Sequence, residues 1–162
     1  MKIRKARQSD LPELTQMAEE FVAFHGTLND AFVRDVTKRK TKVKKTYRKW
    51  FEKHLKKASS LVLVVESSKG LVGYCLALAD EFPPMFSGRK NIFGKIADLY
   101  VKEEFRWTGL GRKMVKEVEK FFKRKGMRYI SLLVPSSNPP AIKAYKSYGF
   151  REYLKEMMKR IG

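Results

Sequence analysis

The chain has a single cysteine, Cys75, and it sits inside an apolar run. No intramolecular disulfide can form, which fits a reducing cytoplasm. Acidic residues are also few: 17 Asp and Glu stand against 36 Lys and Arg, for a formal net charge of +19. A pI near 10.1 predicts attraction to polyanions, whether nucleic acid, acidic membrane or a polyphosphate ligand. Long hydrophobic runs are missing, so no membrane span is expected. The opening residues MKIRKARQSD lack the apolar stretch of a secretory leader. Histidine occurs twice, and no His/Cys/Asp cluster has ligand spacing, so no metal is expected. Asn and Gln are scarce beside abundant Lys and Glu, a mixture reported for proteins of hot environments. What remains is an ordinary globular composition, 43% hydrophobic over 162 residues. No repeat or low-complexity linker divides it, so one domain over residues 1–162 is expected.

The apolar pattern gives the order of elements. Met1–Ala6 reads as a short strand. Ser9 or Asp10 should cap a helix, with Asp10 and Glu13 as a capping-box variant and Pro12 tolerated in the first turn. Leu11, Leu14, Met17, Ala18 and Phe21 recur at helical spacing, and His25-Gly26 should end that helix, leaving His25 in a loop. A second helix reaches about Lys57, with Val43, Tyr47, Trp50, Phe51 and Leu55 as its apolar stripe. Most other positions there are Lys or Arg. That face is a solvated surface or an anion-binding one, but it has no interleaved aromatics for base stacking.

Strands are predicted over Ser60–Glu66 and Leu71–Ala79, joined by the turn Ser67–Gly70. The loop Asp80–Asn91 is long for a hairpin and is a candidate substrate rim. Ile92–Val101 is the next strand. A helix follows with Leu110, Met114, Val118, Phe121 and Phe122 on one face, then a strand over Met127–Val134. Asn138 should cap a short helix with Pro139 at its first position, and Phe150–Ile161 reads as a last strand. Parallel and antiparallel pairs are both implied. The expected architecture is α/β, with a central mixed, mostly antiparallel sheet and helices on both faces.

The most informative stretch is Val101–Met114. There a strand turns through Arg106-x-x-Gly109-x-Gly111 into a helix. The first N–H groups of a helix have no intrahelical partner, and the helix dipole favours an anion beside them. Gly109 and Gly111 would let a phosphate approach the backbone. The third glycine of a dinucleotide fingerprint is missing, and Gly88–Lys95 lacks P-loop spacing.

The run LYVKEEFRWTGLGRKM resembles the acetyl-CoA-binding motif of the GCN5-related N-acetyltransferases. Further on, Asn138-x-x-Ala141-x-x-x-Tyr145-x-x-x-Gly149-Phe150 resembles the same family's second signature. The resemblance implies that family's fold. It also implies transfer of an acetyl group from acetyl-CoA to a primary amine by direct attack in a ternary complex. Leu99, Tyr100 and Val101 would meet the pantetheine arm through backbone groups. Arg106, Trp107, Thr108, Gly109, Leu110, Gly111 and Arg112 would form the pyrophosphate turn, and Asn138 would be a further cofactor contact. Tyr145 matches the family's usual general acid, with Tyr148 a decoy on the same helix.

The general base is open. The acid that protein N-terminal acetylators often carry before the Asn is absent from Leu132–Pro135. Asp98 is a candidate to deprotonate or attract the ammonium, or else a structural strand acid, and Asp80 and Glu81 are lesser ones. A small amine is the first acceptor class and a protein amine the second. The alternative is a non-catalytic protein that binds nucleic acid or acyl-CoA. A homodimer is compatible with the resemblance, though no apolar patch in the sequence argues for one.

Overall fold

The computed structural model describes residues 1–28, 31, 42–79, 93–159 and 161. The elements in chain order are β1 (Lys2–Lys5), α1 (Leu11–Thr27), α2 (Val43–Leu55), β2 (Ser60–Ser67) and β3 (Gly70–Ala79). After them come β4 (Phe93–Val101), α3 (Leu110–Arg124), β5 (Tyr129–Leu132) and α4 (Pro139–Ser147). Among the described residues the strands form one sheet in the order β1-β2-β3-β4-β5. The first three pairings are antiparallel, and β4 with β5 is parallel. The sheet is therefore mixed and mostly antiparallel, as expected.

Alternation along β2 divides the core. Leu61, Leu63 and Val65 face α3, where Leu110, Met114, Val115, Val118 and Phe122 supply the helix stripe. Val62 and Val64 face α1 and α2, against Leu14, Met17 and Phe51. Helices thus cover both faces, and α1, α2 and α3 each bury one apolar stripe. Gly94 of β4 is held to glycine by its neighbour: a Cβ there would lie 2.3 Å from the Phe122 ring. Gly94→Ala is expected to destabilise the fold by about 1–3 kcal/mol through overpacking, read as a lower urea midpoint at unchanged slope.

Two bulges interrupt the alternation. One lies in the β2–β3 ladder at Val65/Glu66. The other matters more: Leu76 pairs with Asp98 while Ala77 pairs with Ile96, so Ala97 is the extra residue. Ile96 packs with the α3 layer and Ala97 with the α1–α2 layer. The Tyr74 hydroxyl donates to Asp98 Oδ2 at 3.2 Å, which keeps Asp98 on the α1–α2 side as well.

The start of α1 departs from the expected capping box. Glu13 Oε2 accepts from the Leu71 N–H at 2.8 Å instead of reaching back to its own helix end. Asp10 is gripped by the Arg4 guanidinium in two bonds of 2.7 and 3.0 Å, and it accepts the Arg7 N–H at 2.7 Å. The hydrogen bond from Arg4 is the main reason the Asp10 carboxyl titrates below its ordinary value. An acid with a lowered folded pKa adds stability above its unfolded value, and this is lost as pH falls through the folded value. Asp10→Asn should therefore be less stable than wild type at pH 7. The gap should shrink below about pH 4, as measured by urea midpoints across that range.

The last expected strand is not formed. Described residues from Phe150 onward carry no ladder, and Tyr153, Leu154, Met157, Met158 and Ile161 are exposed. Apolar residues alone do not make a strand: none of these pairs with either outer strand, β1 or β5. The same residues are exposed apolar surface that the sequence pattern does not locate. The loop 80–91, with Asp80 and Glu81, and the beginning of the second helix lie outside the described residues.

Candidate active site

The ladder between β4 and β5 runs from Phe93–Tyr129 to Ile96–Leu132 and stops there. Beyond Ile96 the β5-facing edge of β4 has no strand partner among the described residues. Hydrogen-bonding groups on such an edge are available to a ligand. A cavity of about 380 Å³ opens where the strands part. Leu99, Tyr100 and Val101 line it from β4, and Leu132–Pro135 from the end of β5 and the residues after it.

The turn after β4 supplies the next wall. Arg106 donates through Nε to the Val101 carbonyl at 3.1 Å, tying the turn to the end of the strand. Its guanidinium lies 4.8 Å from the centre of the Phe24 ring of α1. Trp107 is exposed and takes a left-handed backbone (φ 65°). Gly109, also left-handed at φ 80°, is the N-cap of α3. No acid stands in that helix's first turn, so its free N–H groups have no side-chain anion to satisfy them. At Gly111 a Cβ would sit 3.2 Å from the Tyr148 hydroxyl. Gly109, Leu110 and Gly111 all line the cavity.

The third wall is α4. Asn138 is buried, and its Oδ1 accepts the Ala141 N–H at 3.3 Å, the cap expected of it. Beside it Ser137 Oγ is buried with no partner among the described residues. Tyr145 lines the cavity, half-buried, with its ring edge-on to Tyr148 at 6.1 Å and to Phe150 at 5.9 Å. Its hydroxyl bonds to no described residue. Burial first, then nearby Cys75, Tyr148 and Asp98, push its pKa above the ordinary phenol value. The phenol therefore keeps its proton throughout the neutral range.

Three expected residues fall outside the cavity lining. Asp98 lies on the α1–α2 face with Ala97 and Tyr100, buried, and accepts from the Tyr74 hydroxyl. Its burial and its bond to Tyr74 fit the structural role. Arg112 donates Nη2 to the Ser147 carbonyl at the end of α4 and lies over the Tyr148 ring at 5.6 Å. It closes α3 onto α4 in place of adding charge to the turn's mouth. Thr108 turns inward on its own loop, donating to the Phe105 carbonyl at 2.6 Å.

Other residues join the wall that the sequence motifs leave aside. Tyr148 lines it beside Tyr145. Phe21, Phe24 and His25 line the far end, and His25 belongs to the last turn of α1 in place of the expected loop. Their i, i+3, i+4 spacing was the available signal. Gly26 does not stop the helix, which runs on to Thr27.

The basic helix α2 keeps its aromatics inside. Tyr47 and Phe51 are buried, and Trp50 packs against the same cluster. Its Lys and Arg face is left without a stacking platform. No described helix is long and apolar enough to cross a membrane, and no metal-holding group of His, Cys, Asp or Glu occurs among the described residues.

Residues 21–150 match the pattern of the Acetyltransferase (GNAT) family. An "Uncharacterized N-acetyltransferase" of Methanocaldococcus jannaschii is 29% identical over 117 residues, covering 72% of this chain and 50% of that protein. The chain thus spans about half the length of that relative. An "Uncharacterized N-acetyltransferase" of Archaeoglobus fulgidus is 28% identical and covers 93% of each chain. Among solved structures, a "predicted acetyltransferase with acetyl-CoA" from Clostridium acetobutylicum superposes with a TM-score of 0.77. It is 18% identical and covers 98% of this chain and 95% of its own.

Proposed function

Because the chain belongs to the acetyltransferase (GNAT) family, we propose that it is an acetyl-CoA-dependent N-acetyltransferase acting as one domain. It moves an acetyl group to a primary amine by direct attack while both substrates are bound. The observation that carries this reading is one cavity shared by three features: the open edge of β4, the acid-free start of α3, and the Tyr145 phenol.

The residues present suit coenzyme A. A Cβ at Gly111 would fill the approach to the helix start, and Ser137 Oγ is an orphan hydroxyl nearby in sequence to the Asn138 cap. The N–H groups at the start of α3 would hold the pyrophosphate. The edge of β4 at Leu99–Val101 would bond the amide-bearing arm, and a backbone N–H there would polarise the acyl carbonyl. What coenzyme A supplies is a thioester, an acyl group already activated. Tyr145 donates its hydroxyl proton to the departing sulfur. Cys75 offers no competing acyl-enzyme route: it is fully buried, and burial together with Asp98 pushes its thiol pKa well up. Direct transfer fits that inert thiol.

The acceptor end is lined by Phe21, Phe24, His25 and Tyr100. Such aromatic walls favour a small amine with an apolar body, and a lysine side chain on a protein is the second class. The basic face of α2 leaves nucleic acid as an outcome of the test. Thermal unfolding with acetyl-CoA checks the reading directly. Binding at about 100 times Kd should add about 2.7 kcal/mol to wild type. Gly111→Val should weaken acetyl-CoA about tenfold or more by losing charge-assisted backbone bonds. Stabilisation by RNA alone, steeply salt-dependent, would sink the enzyme reading.

A further inference from the structure

The acceptor nitrogen must lose a proton before it attacks, since a primary amine is mostly ammonium at neutral pH. The need for a base therefore rests on the acetyl-transfer activity proposed for this chain. Asp98 is buried, accepts from the Tyr74 hydroxyl and does not line the cavity. Six titratable side chains among the described residues line the cavity: His25, Tyr100, Glu103, Arg106, Tyr145 and Tyr148. Arginine cannot accept a proton. Phenols hold theirs at neutral pH, and Tyr100 and Tyr145 are pushed further up, both chiefly by burial. Glu103 is exposed to solvent on the turn after β4.

His25 differs in geometry as well as chemistry. Its ring is half-buried at the end of α1, edge-on to Phe21 at 4.3 Å and to Phe24 at 5.8 Å. Its Nδ1 lies 2.8 Å from the Phe21 carbonyl oxygen. A carbonyl only accepts, so Nδ1 carries the hydrogen and Nε2 keeps the lone pair. Nε2 has no partner among the described residues. The titratable groups that share its cavity are Tyr100 on β4, Glu103 and Arg106 on the following turn, and Tyr145 and Tyr148 at α4, while Glu20 of α1 bonds Tyr100. Glu20 Oε2 is occupied by the Tyr100 hydroxyl at 2.8 Å.

We infer that His25 is the general base, with Nε2 taking the proton that the acceptor ammonium gives up. The freed nitrogen forms its bond to the acyl carbon and the carbon–sulfur bond breaks. The sulfur takes the Tyr145 proton, the second amine proton passes to water, and exchange with water resets both side chains. Phe21 and Phe24 keep the imidazole in one orientation, and the helix carbonyl keeps it in one tautomer.

The test is the pH profile of kcat/KM for wild type, His25→Gln and Glu103→Gln, between about pH 6 and 9. Acceptors are L-lysine, spermidine, phenylethylamine and a lysine-bearing peptide, each with acetyl-CoA. The profile uses the one that wild type turns over fastest. His25→Gln should lose about a hundredfold or more at neutral pH while binding acetyl-CoA as wild type does. Its deficit should narrow as pH rises and the free amine becomes abundant. A 15N spectrum of labelled histidine should show hydrogen on Nδ1 and none on Nε2 in the neutral ring. An unchanged profile in His25→Gln, a limb that disappears in Glu103→Gln instead, or the opposite tautomer would overturn the assignment alone. Acetyl-CoA binding without turnover of any of the four amines would overturn it together with the small-amine or lysine acceptor.

Discussion

Tyr145→Phe is expected to lower kcat by about 10²–10⁴-fold with acetyl-CoA affinity nearly unchanged. The substitution removes one oxygen and nothing else. The ring contacts with Tyr148 and Phe150 stay. The hydroxyl bonds to no described residue, so its loss leaves no buried partner unsatisfied. Any large effect must then come from the reaction. The raised pKa of Tyr145 sets the shape of the loss. Its phenol is protonated throughout neutral pH, so the fold-change should be flat across that range. Steady-state kinetics beside a binding titration separate the two quantities. A variant that keeps its rate would remove Tyr145 from the chemistry and leave protonation of sulfur to water.

Phe51→Ala carries the largest expected effect on the fold, about 3–5 kcal/mol. Phe51 is 0% exposed and meets the Tyr74 ring edge-on at 5.4 Å. It also packs beside Tyr47 and Trp50 of its own helix. Aromatic edge contacts add to the area it buries. Its removal opens a void between α2 and the sheet that helix backbone cannot collapse to fill. For a domain of this size 1 kcal/mol is worth about 2–4 °C, so the midpoint should fall by roughly 6–20 °C. The damage reaches further than α2, because Tyr74 also donates to Asp98. A loss well under 1 kcal/mol would mean that α2 is not held by this contact.

Much of the molecule could be read from local pattern. The stripe Leu110–Met114–Val118–Phe122 has one period and one solution. The glycine spacing at Gly109 and Gly111 and the cap at Asn138 are short-range features whose chemistry lies within a few residues. What escaped reading was decided by partners distant in the chain. Asp98 could not be assigned a face without knowing that Ala97 is an extra residue against Leu76. Arg112 looked like a ligand for phosphate until the Ser147 carbonyl came within its reach. Glu13 left its own helix end for the Leu71 N–H. His25-Gly26 resembled a helix stop, yet nothing in the chain forced one there, and the ring was carried onto the cavity wall. The segment from Phe150 had strand-forming residues, yet it pairs with neither outer strand, β1 or β5, among the described residues.

The surplus residue in β4 also separates two kinds of sequence change. Replacing Ala97 alters a side chain. Deleting it would leave a regular ladder in which Ile96 keeps the α3 layer and Asp98 the α1–α2 layer, but the bend and extra twist that a bulge imposes would go, at the point where β4 parts from β5. Substitution at position 97 therefore alters one side chain of the cavity wall, whereas a single in-frame codon loss there would change the angle at which the two strands separate.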